Sequence, residues 1–176
     1  MRIISGTLKG RRFTPPTKLK ARPTTDFAKE GLFNVLGGKI DLEEIKVLEL
    51  FSGSGSIGLE FISRGAESVV GIEISMQHIG YIKKVCTELD VKNYYLQKAD
   101  VFKYLESAKG NYDVVFADPP YAIKDLDKLP DLVLNNGLIN EDGLFILEHG
   151  RDYDFSAHPH FIEMRKYGNV HFTFFS

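Results

Sequence analysis

Four consecutive residues, Asp118-Pro119-Pro120-Tyr121, limit the chemistry of this chain more narrowly than any other stretch of it. Two prolines fix two φ angles and supply no N–H, so the Asp118 carboxylate and the Pro119 carbonyl can form a rigid pair of acceptors. Such a pair suits the exocyclic amino group of a nucleobase, whose lone pair is delocalised into the ring and is a poor nucleophile. Gripping its hydrogens favours the pyramidal nitrogen that attacks a methyl group, which binds the transition state in preference to the ground state. Tyr121 adds an aromatic face on which an extruded base can stack, worth about 1–3 kcal/mol. No metal and no nucleophilic side chain is needed if the methyl group arrives already activated on a sulfonium. The plainer alternative is a proline-rich turn capped by Asp118.

Upstream, Glu49-Leu50-Phe51-Ser52-Gly53-Ser54-Gly55-Ser56-Ile57-Gly58 contains the pattern G-x-G-x-x-G. Glycines there allow a sharp strand-to-helix turn and a close approach of ligand to backbone, and the helix amino terminus offers free N–H groups. A ligand would lie over Phe51, Gly53, Ser54 and Gly55. Glu73, 15 residues after Gly58, is placed to accept both hydroxyls of a ribose. Asp100, followed by Val101, can accept from an adenine amino group, although Asp100 also reads as a helix cap. Glu49 can hold an ammonium. A dinucleotide would bring a pyrophosphate to this loop, whereas S-adenosylmethionine brings an ammonium, a carboxylate and a sulfonium, and an acid just before the glycines suits the second ligand.

The elements that must hold these residues alternate. Strands are predicted at 45–51, 68–74, 94–98, 112–117 and 143–148, and helices at 57–64, 76–89, 101–107 and 126–135. That order argues for a parallel sheet covered on both faces. Residues 161–167 and 170–175, joined by Gly168-Asn169, read instead as an antiparallel hairpin at the sheet edge. The resulting fold class is α/β, with the strand count of a class I methyltransferase sheet. Ahead of it, residues 2–13 suggest a short ribbon or extended arm, and Thr25 or Asp26 can cap a helix over 26–37 that Gly37-Gly38 ends.

At 176 residues, with 43% apolar content, the chain can bury a full core without disulfides. Its single cysteine, Cys86, excludes an intramolecular disulfide framework and a cysteine-cluster zinc site. No apolar run approaches the ~20 residues of a membrane span, and no signal peptide is expected behind Arg2, so a cytoplasmic protein is expected. The net charge of −2 is uneven: residues 1–30 carry +6 and the rest −8. A basic arm on an acidic body concentrates attraction for a polyanion at one edge. His158-Pro159-His160 lacks a third ligand at suitable spacing and reads as a surface loop. Cys86 and the aromatics Phe172, Phe174 and Phe175 read as packed side chains, and no role is assigned to His149.

Arg2-Ile3-Ile4-Ser5-Gly6, Lys9-Gly10-Arg11, and Arg22-Pro23-Thr24-Thr25-Asp26 followed by Glu30-Gly31-Leu32-Phe33-Asn34-Val35-Leu36 resemble the opening signature of the RsmD family. These are bacterial small-subunit ribosomal RNA guanine-N2 methyltransferases. Leu50-Phe51-Ser52-Gly53-Ser54-Gly55, Ser63-Arg64-Gly65-Ala66, Asp118-Pro119-Pro120-Tyr121 and Glu148-His149 resemble its later motifs. The resemblance implies a Rossmann-like, seven-stranded, mostly parallel sheet with a small basic N-terminal extension. It implies S-adenosylmethionine as donor and, as acceptor, N2 of one guanine (the guanine-966 type) of 16S ribosomal RNA in a small-subunit assembly intermediate. Residues 1–40 would then contact RNA, through Lys9, Arg11, Arg12 and Arg22, and 41–176 would form the methyltransferase domain of a monomer that uses no metal. Phe27, Ser75 and Val85 depart from the family pattern. Phe27 replaces a basic residue at the helix start, which weakens an expected RNA contact there.

Alternatives of other classes are a DNA amino-methyltransferase, for which 176 residues leave little room beside the catalytic unit, a nicotinamide-dependent oxidoreductase, and an inactive RNA-binding assembly factor.

Overall fold

A computed structural model describes residues 1–16, 25–120 and 122–176. Seven strands, β1 (Lys46–Leu50), β2 (Ser68–Glu73), β3 (Tyr94–Lys98), β4 (Tyr112–Ala117), β5 (Ile139–His149), β6 (Phe161–Tyr167) and β7 (Val170–Phe175), form one sheet. The helices are α1 (Asp26–Gly37), α2 (Ser56–Ser63), α3 (Met76–Glu88), α4 (Val101–Leu105) and α5 (Leu129–Leu134), the last preceded by a 3-10 turn at Leu126–Lys128. Strand order is β3-β2-β1-β4-β5-β7-β6. The first five strands run parallel, and β7 inserts antiparallel between β5 and β6. The order reverses between β1 and β4, and an open α/β sheet places its ligand crevice at the carboxyl ends of the strands beside such a reversal.

The strand–helix alternation and the closing hairpin lie where the sequence places them, with small differences. Strand β5 is longer than the apolar run 143–148 because it begins at Ile139 and absorbs a bulge. Tyr112 pairs with Ile139 but Val114 pairs with Leu144, so the polar residues 140–143 loop out of register, and Asn140 donates to the Asp113 carboxylate at 2.6 Å. Helix α4 ends at Leu105, short of 107. The span 126–135 divides at Leu129, where Pro130 can join only a first helical turn. The expected ribbon at 2–13 is a small hairpin with one antiparallel bridge, Arg2 to Arg12, closed by the Ile3 N–H to Arg11 carbonyl bond at 2.9 Å.

Each face of the sheet carries a hydrophobic cluster. One side gathers Val47, Val69, Val114, Phe116, Ile146, Phe172 and Phe174 with Ile57, Leu59 and Phe61 of α2, and also takes Ile3 and Ala28, Leu32, Phe33 and Leu36 of α1. The other packs Leu48, Leu50, Val115, Phe145, Leu147 and Phe175 against α4 and α5. Phe172, Phe174 and Phe175 therefore fill the two faces as expected, and Cys86 is buried in α3. Among the described residues no helix is long and apolar enough to cross a membrane.

Candidate active site

The glycine loop is a structure only glycine builds cheaply. Gly53 and Gly55 adopt φ of 52° and 72°, and Gly55 is the N-cap of α2, lending no side chain to the helix. Phe51, at the mouth, also has positive φ (60°) and leans edge-on against Phe102 of α4, with ring centroids 6.4 Å apart. Ser54 is buried in the loop. Glu73 closes β2 beside it: one carboxylate oxygen accepts the Gly53 N–H at 2.8 Å, the other the Ser75 N–H at 2.7 Å. A carboxylate offers about four acceptor positions, and His78 Nδ1 also lies 3.5 Å from the oxygen that accepts from Ser75. Asp100 accepts the Lys103 N–H at 3.1 Å as N-cap of α4, which places Asp100 and Val101 at the end of β3 on the same rim. Loop, Glu73, Asp100 and Val101 thus form one edge suited to an adenosine.

Glu49, read from the sequence as a group that can hold an ammonium, is engaged by the protein itself. Its carboxylate lies beneath the loop, almost wholly buried. One oxygen accepts the Gly58 N–H at 2.8 Å, and the Tyr94 hydroxyl donates a short bond to the other. The reason is local: with glycine as N-cap, the first turn of α2 has an orphan N–H, and Glu49 satisfies it from the neighbouring strand. Burial pushes the Glu49 carboxyl up to about 7, against the bonds from Tyr94, Gly58 and Ser52. Gly58 has no room for a side chain, since a Cβ there would lie 2.6 Å from the Tyr94 ring and 2.8 Å from the Glu49 carboxylate.

Asp118 follows β4, its N–H reaching toward the Leu50 carbonyl at 3.4 Å. Pro119 is buried and Pro120 exposed, the latter's carbonyl accepting the Ile123 N–H at 2.9 Å. Tyr121 lies outside the described residues. Burial raises the Asp118 carboxyl well above its ordinary value, and the carboxylates of Glu148 and Glu49 raise it further. Three acids therefore converge at the ends of the adjacent strands β1, β4 and β5. Among the described residues neither Glu49 nor Asp118 has an ion-pair partner. Burial and the mutual repulsion of these acids favour their protonated forms, and a cation brought beside them would favour the ionised ones.

The basic ribbon is joined to this site by a buried ion pair. Lys29 of α1 and Glu60 of α2 are both fully buried and lie 3.6 Å apart. Glu60 accepts the N–H groups of Ile4 (2.8 Å) and Ser5 (3.0 Å) and the Arg64 guanidinium (2.9 Å). Lys29 donates to the Arg2 carbonyl at 2.6 Å and to Ser56 Oγ at 3.1 Å, in the residue after Gly55. Burial lowers the Lys29 pKa, with Glu60 and Asp26 opposing the shift. Lys9, Arg11 and Arg12 are exposed on the ribbon, while Arg22 lies outside the described residues. The sequence reading missed Lys29, Glu60 and the part of Glu148. A signal for the first two was present, since each is a charge within an otherwise apolar helix stripe. His158 and His160 bond to Asp131 and to the Ser176 carbonyl, and His149 to the Gly150 carbonyl and Thr173.

Strand order, reversed last strand, glycine loop after β1 and acid at the end of β2 together define a class I methyltransferase fold. The chain belongs to the RsmD family: the family described as "Conserved hypothetical protein 95" matches residues 1–176. It is similar to "Ribosomal RNA small subunit methyltransferase D" of Escherichia coli K12, 31% identical over 148 residues, 84% of this chain and 74% of that protein. It is also similar to "Putative rRNA methyltransferase YlbH" of Bacillus subtilis 168, 33% identical over 158 residues, 88% and 85% of the two chains. Among solved structures, the putative methyltransferase yhhF from Escherichia coli superposes with a TM-score of 0.85 at 28% identity, covering 99% of this chain and 96% of that one. The hypothetical protein TTHA0928 of Thermus thermophilus gives 0.88 at 28% identity, covering 100% and 99%.

Proposed function

We propose that this chain transfers a methyl group from S-adenosylmethionine to N2 of a guanine, of the guanine-966 type, in small-subunit ribosomal RNA. The observation that carries the reading is the place of Asp118 beside the glycine loop: it follows β4 with its N–H reaching toward the Leu50 carbonyl at 3.4 Å, where that loop begins. The bound donor would supply a methyl group already activated by its positive sulfonium. Glu73 holds the ribose hydroxyls, Phe51, Gly53, Ser54 and Gly55 line the loop, and Asp100 and Val101 bound the adenine. Glu49 acts one layer below, holding the first turn of α2 and so the loop.

In this reading Asp118 and the Pro119 carbonyl accept the two amino hydrogens of the extruded guanine, with Pro120 stiffening the turn and Tyr121 stacking on the base. A cation in the crevice pulls the Asp118 carboxyl back toward its ionised, accepting form, so donor binding prepares the acceptor. Residues 1–40 hold the RNA through Lys9, Arg11, Arg12 and Arg22, and 41–176 carry out the transfer. The names of the Escherichia coli and Bacillus subtilis relatives support an RNA acceptor.

Tritiated methyl transfer into small-subunit particles lacking the mark, run beside duplex DNA, tests the assignment. Label in the RNA alone is expected; label in DNA alone refutes it.

A further inference from the structure

A line of aromatic rings runs along the sheet face that carries Asp118. Phe116, two residues before Asp118 on β4, meets Phe172 of β7 with ring centroids 6.4 Å apart. Phe172 meets Tyr167 of β6 at 5.9 Å, and Tyr167 meets Phe27 of α1 at 5.7 Å, edge to face. Core packing accounts for the buried inner rings. It does not account for Phe27, which is 71% exposed, because the apolar stripe of α1 is already filled by Ala28, Leu32, Phe33 and Leu36.

The seat under Phe27 is built into the sequence. Gly31, one turn along α1, leaves the space the Tyr167 ring occupies: a Cβ there would collide with that ring. An interior glycine weakens a helix relative to alanine, and here it lets Tyr167 sit edge-on against an exposed ring. The basic ribbon is tied to the start of α1. Asp26, next to Phe27, pairs with Arg2 at 3.4 Å, and the backbone of Arg2 pairs with that of Arg12 in the ribbon that carries the exposed Lys9, Arg11 and Arg12. Tyr167 and Asp118 stand at the same end of the sheet, with β5 and β7 between their strands. At 4.7–4.9 Å per strand the separation is about 14 Å.

An exposed aromatic ring beside a basic ribbon is the combination that binds single-stranded nucleic acid, the ring taking a base face and the cations the phosphates. We propose that Phe27, backed by Tyr167, is a stacking platform for an unpaired nucleotide of the RNA flanking the target base. The inference rests on the RNA methyltransferase reading above and adds to it a contact that carries no charge.

The chain has no tryptophan, so Phe27→Trp places a single indole at the platform. Titration with unmodified small-subunit particles should quench its emission by more than half without a blue shift, as stacking on a base does. Phe27→Ala should raise the Kd for particles about 5-fold or more with the salt slope unchanged, because stacking releases no counterions. Phe27→Arg should instead steepen that slope by about 0.7–0.9. Unquenched emission, an alanine variant within 2-fold of wild type, or a blue-shifted undimmed signal (burial against a protein) each overturns the proposal. Wild-type enzyme that transfers no methyl group to small-subunit RNA would instead overturn the underlying reading.

Discussion

Glu60→Gln removes the carboxylate paired with a lysine that is itself wholly buried, and its effect follows from the geometry. The substitution discharges the 3.6 Å pair with Lys29 and weakens the bonds from the Ile4 and Ser5 N–H groups and from Arg64. Breaking a buried pair by removing one partner costs about 3–5 kcal/mol. The ceiling is set by Lys29 shedding its proton: from its ordinary value of 10.5, neutralisation at pH 7 costs about 5 kcal/mol at 1.36 kcal/mol per unit. For a chain of this size each kcal/mol lowers Tm by about 2–4 °C, so thermal unfolding followed by circular dichroism should show a loss of about 6–20 °C. The sign of the pH dependence is also fixed. A lysine whose pKa is lowered by folding binds fewer protons in the native than in the unfolded state, so stability rises with pH, and the deficit should shrink between pH 7 and 10. Lys29→Met combined with Glu60→Gln removes the fully buried charge and leaves only Arg64, which keeps some contact with solvent, without its carboxylate, so it should recover at least half of the loss. A Tm within 2 °C of wild type for Glu60→Gln alone would refute this view of how the basic ribbon is fastened to α2.

Two further expectations concern the ribbon and the loop. Neutralising Arg11 and Arg12 to Gln should weaken RNA binding at every salt concentration and flatten the slope of log K against log salt by about 1.5, from two lost phosphate contacts; an unchanged slope would remove the ribbon from the interface. For Glu49, whose carboxyl burial pushes up to about 7 from 4.5, the native state holds the proton longer than the unfolded state. Stability contributed by this group is complete below about pH 4.5 and declines as pH rises through about 7, by about 3 kcal/mol. Urea unfolding of Glu49→Gln across pH 4.5–8 should lack that decline, and superposable pH profiles would show that Glu49 is not the titrating group.

The parts of the site that follow from local pattern were legible in the sequence. Glycines at 53 and 55 between a strand and a helix, and an acid at 73 closing the next strand, predict a cofactor loop because the backbone turn itself demands those residues. Strand β5 was only half legible, since Asn140-Glu141-Asp142 reads as a turn until its register with β4 shows a bulge. The protein partners of Glu49 were hidden for a different reason: Gly58 and Tyr94 come from two other elements, and only the fold brings them to its carboxylate. The same holds for Glu60, whose partners Ile4 and Ser5 lie more than fifty residues away. Asp118 was identified by its prolines, but the upward shift of its carboxyl comes first from burial and then from Glu148 across the β4–β5 pair, which only the fold brings near.

Catalysis as proposed turns on Asp118 gripping the acceptor amino group rather than the donor. Nucleoside mass spectrometry of small-subunit RNA after incubation with wild type and with Asp118→Ala, alongside calorimetry of S-adenosylmethionine binding to both, tests it most directly. Wild type should yield N2-methylguanosine, and the variant should lose at least about 100-fold in turnover while keeping cofactor affinity within a few-fold. Methylation at another position of the base, or a variant that turns over at the wild-type rate, would contradict it.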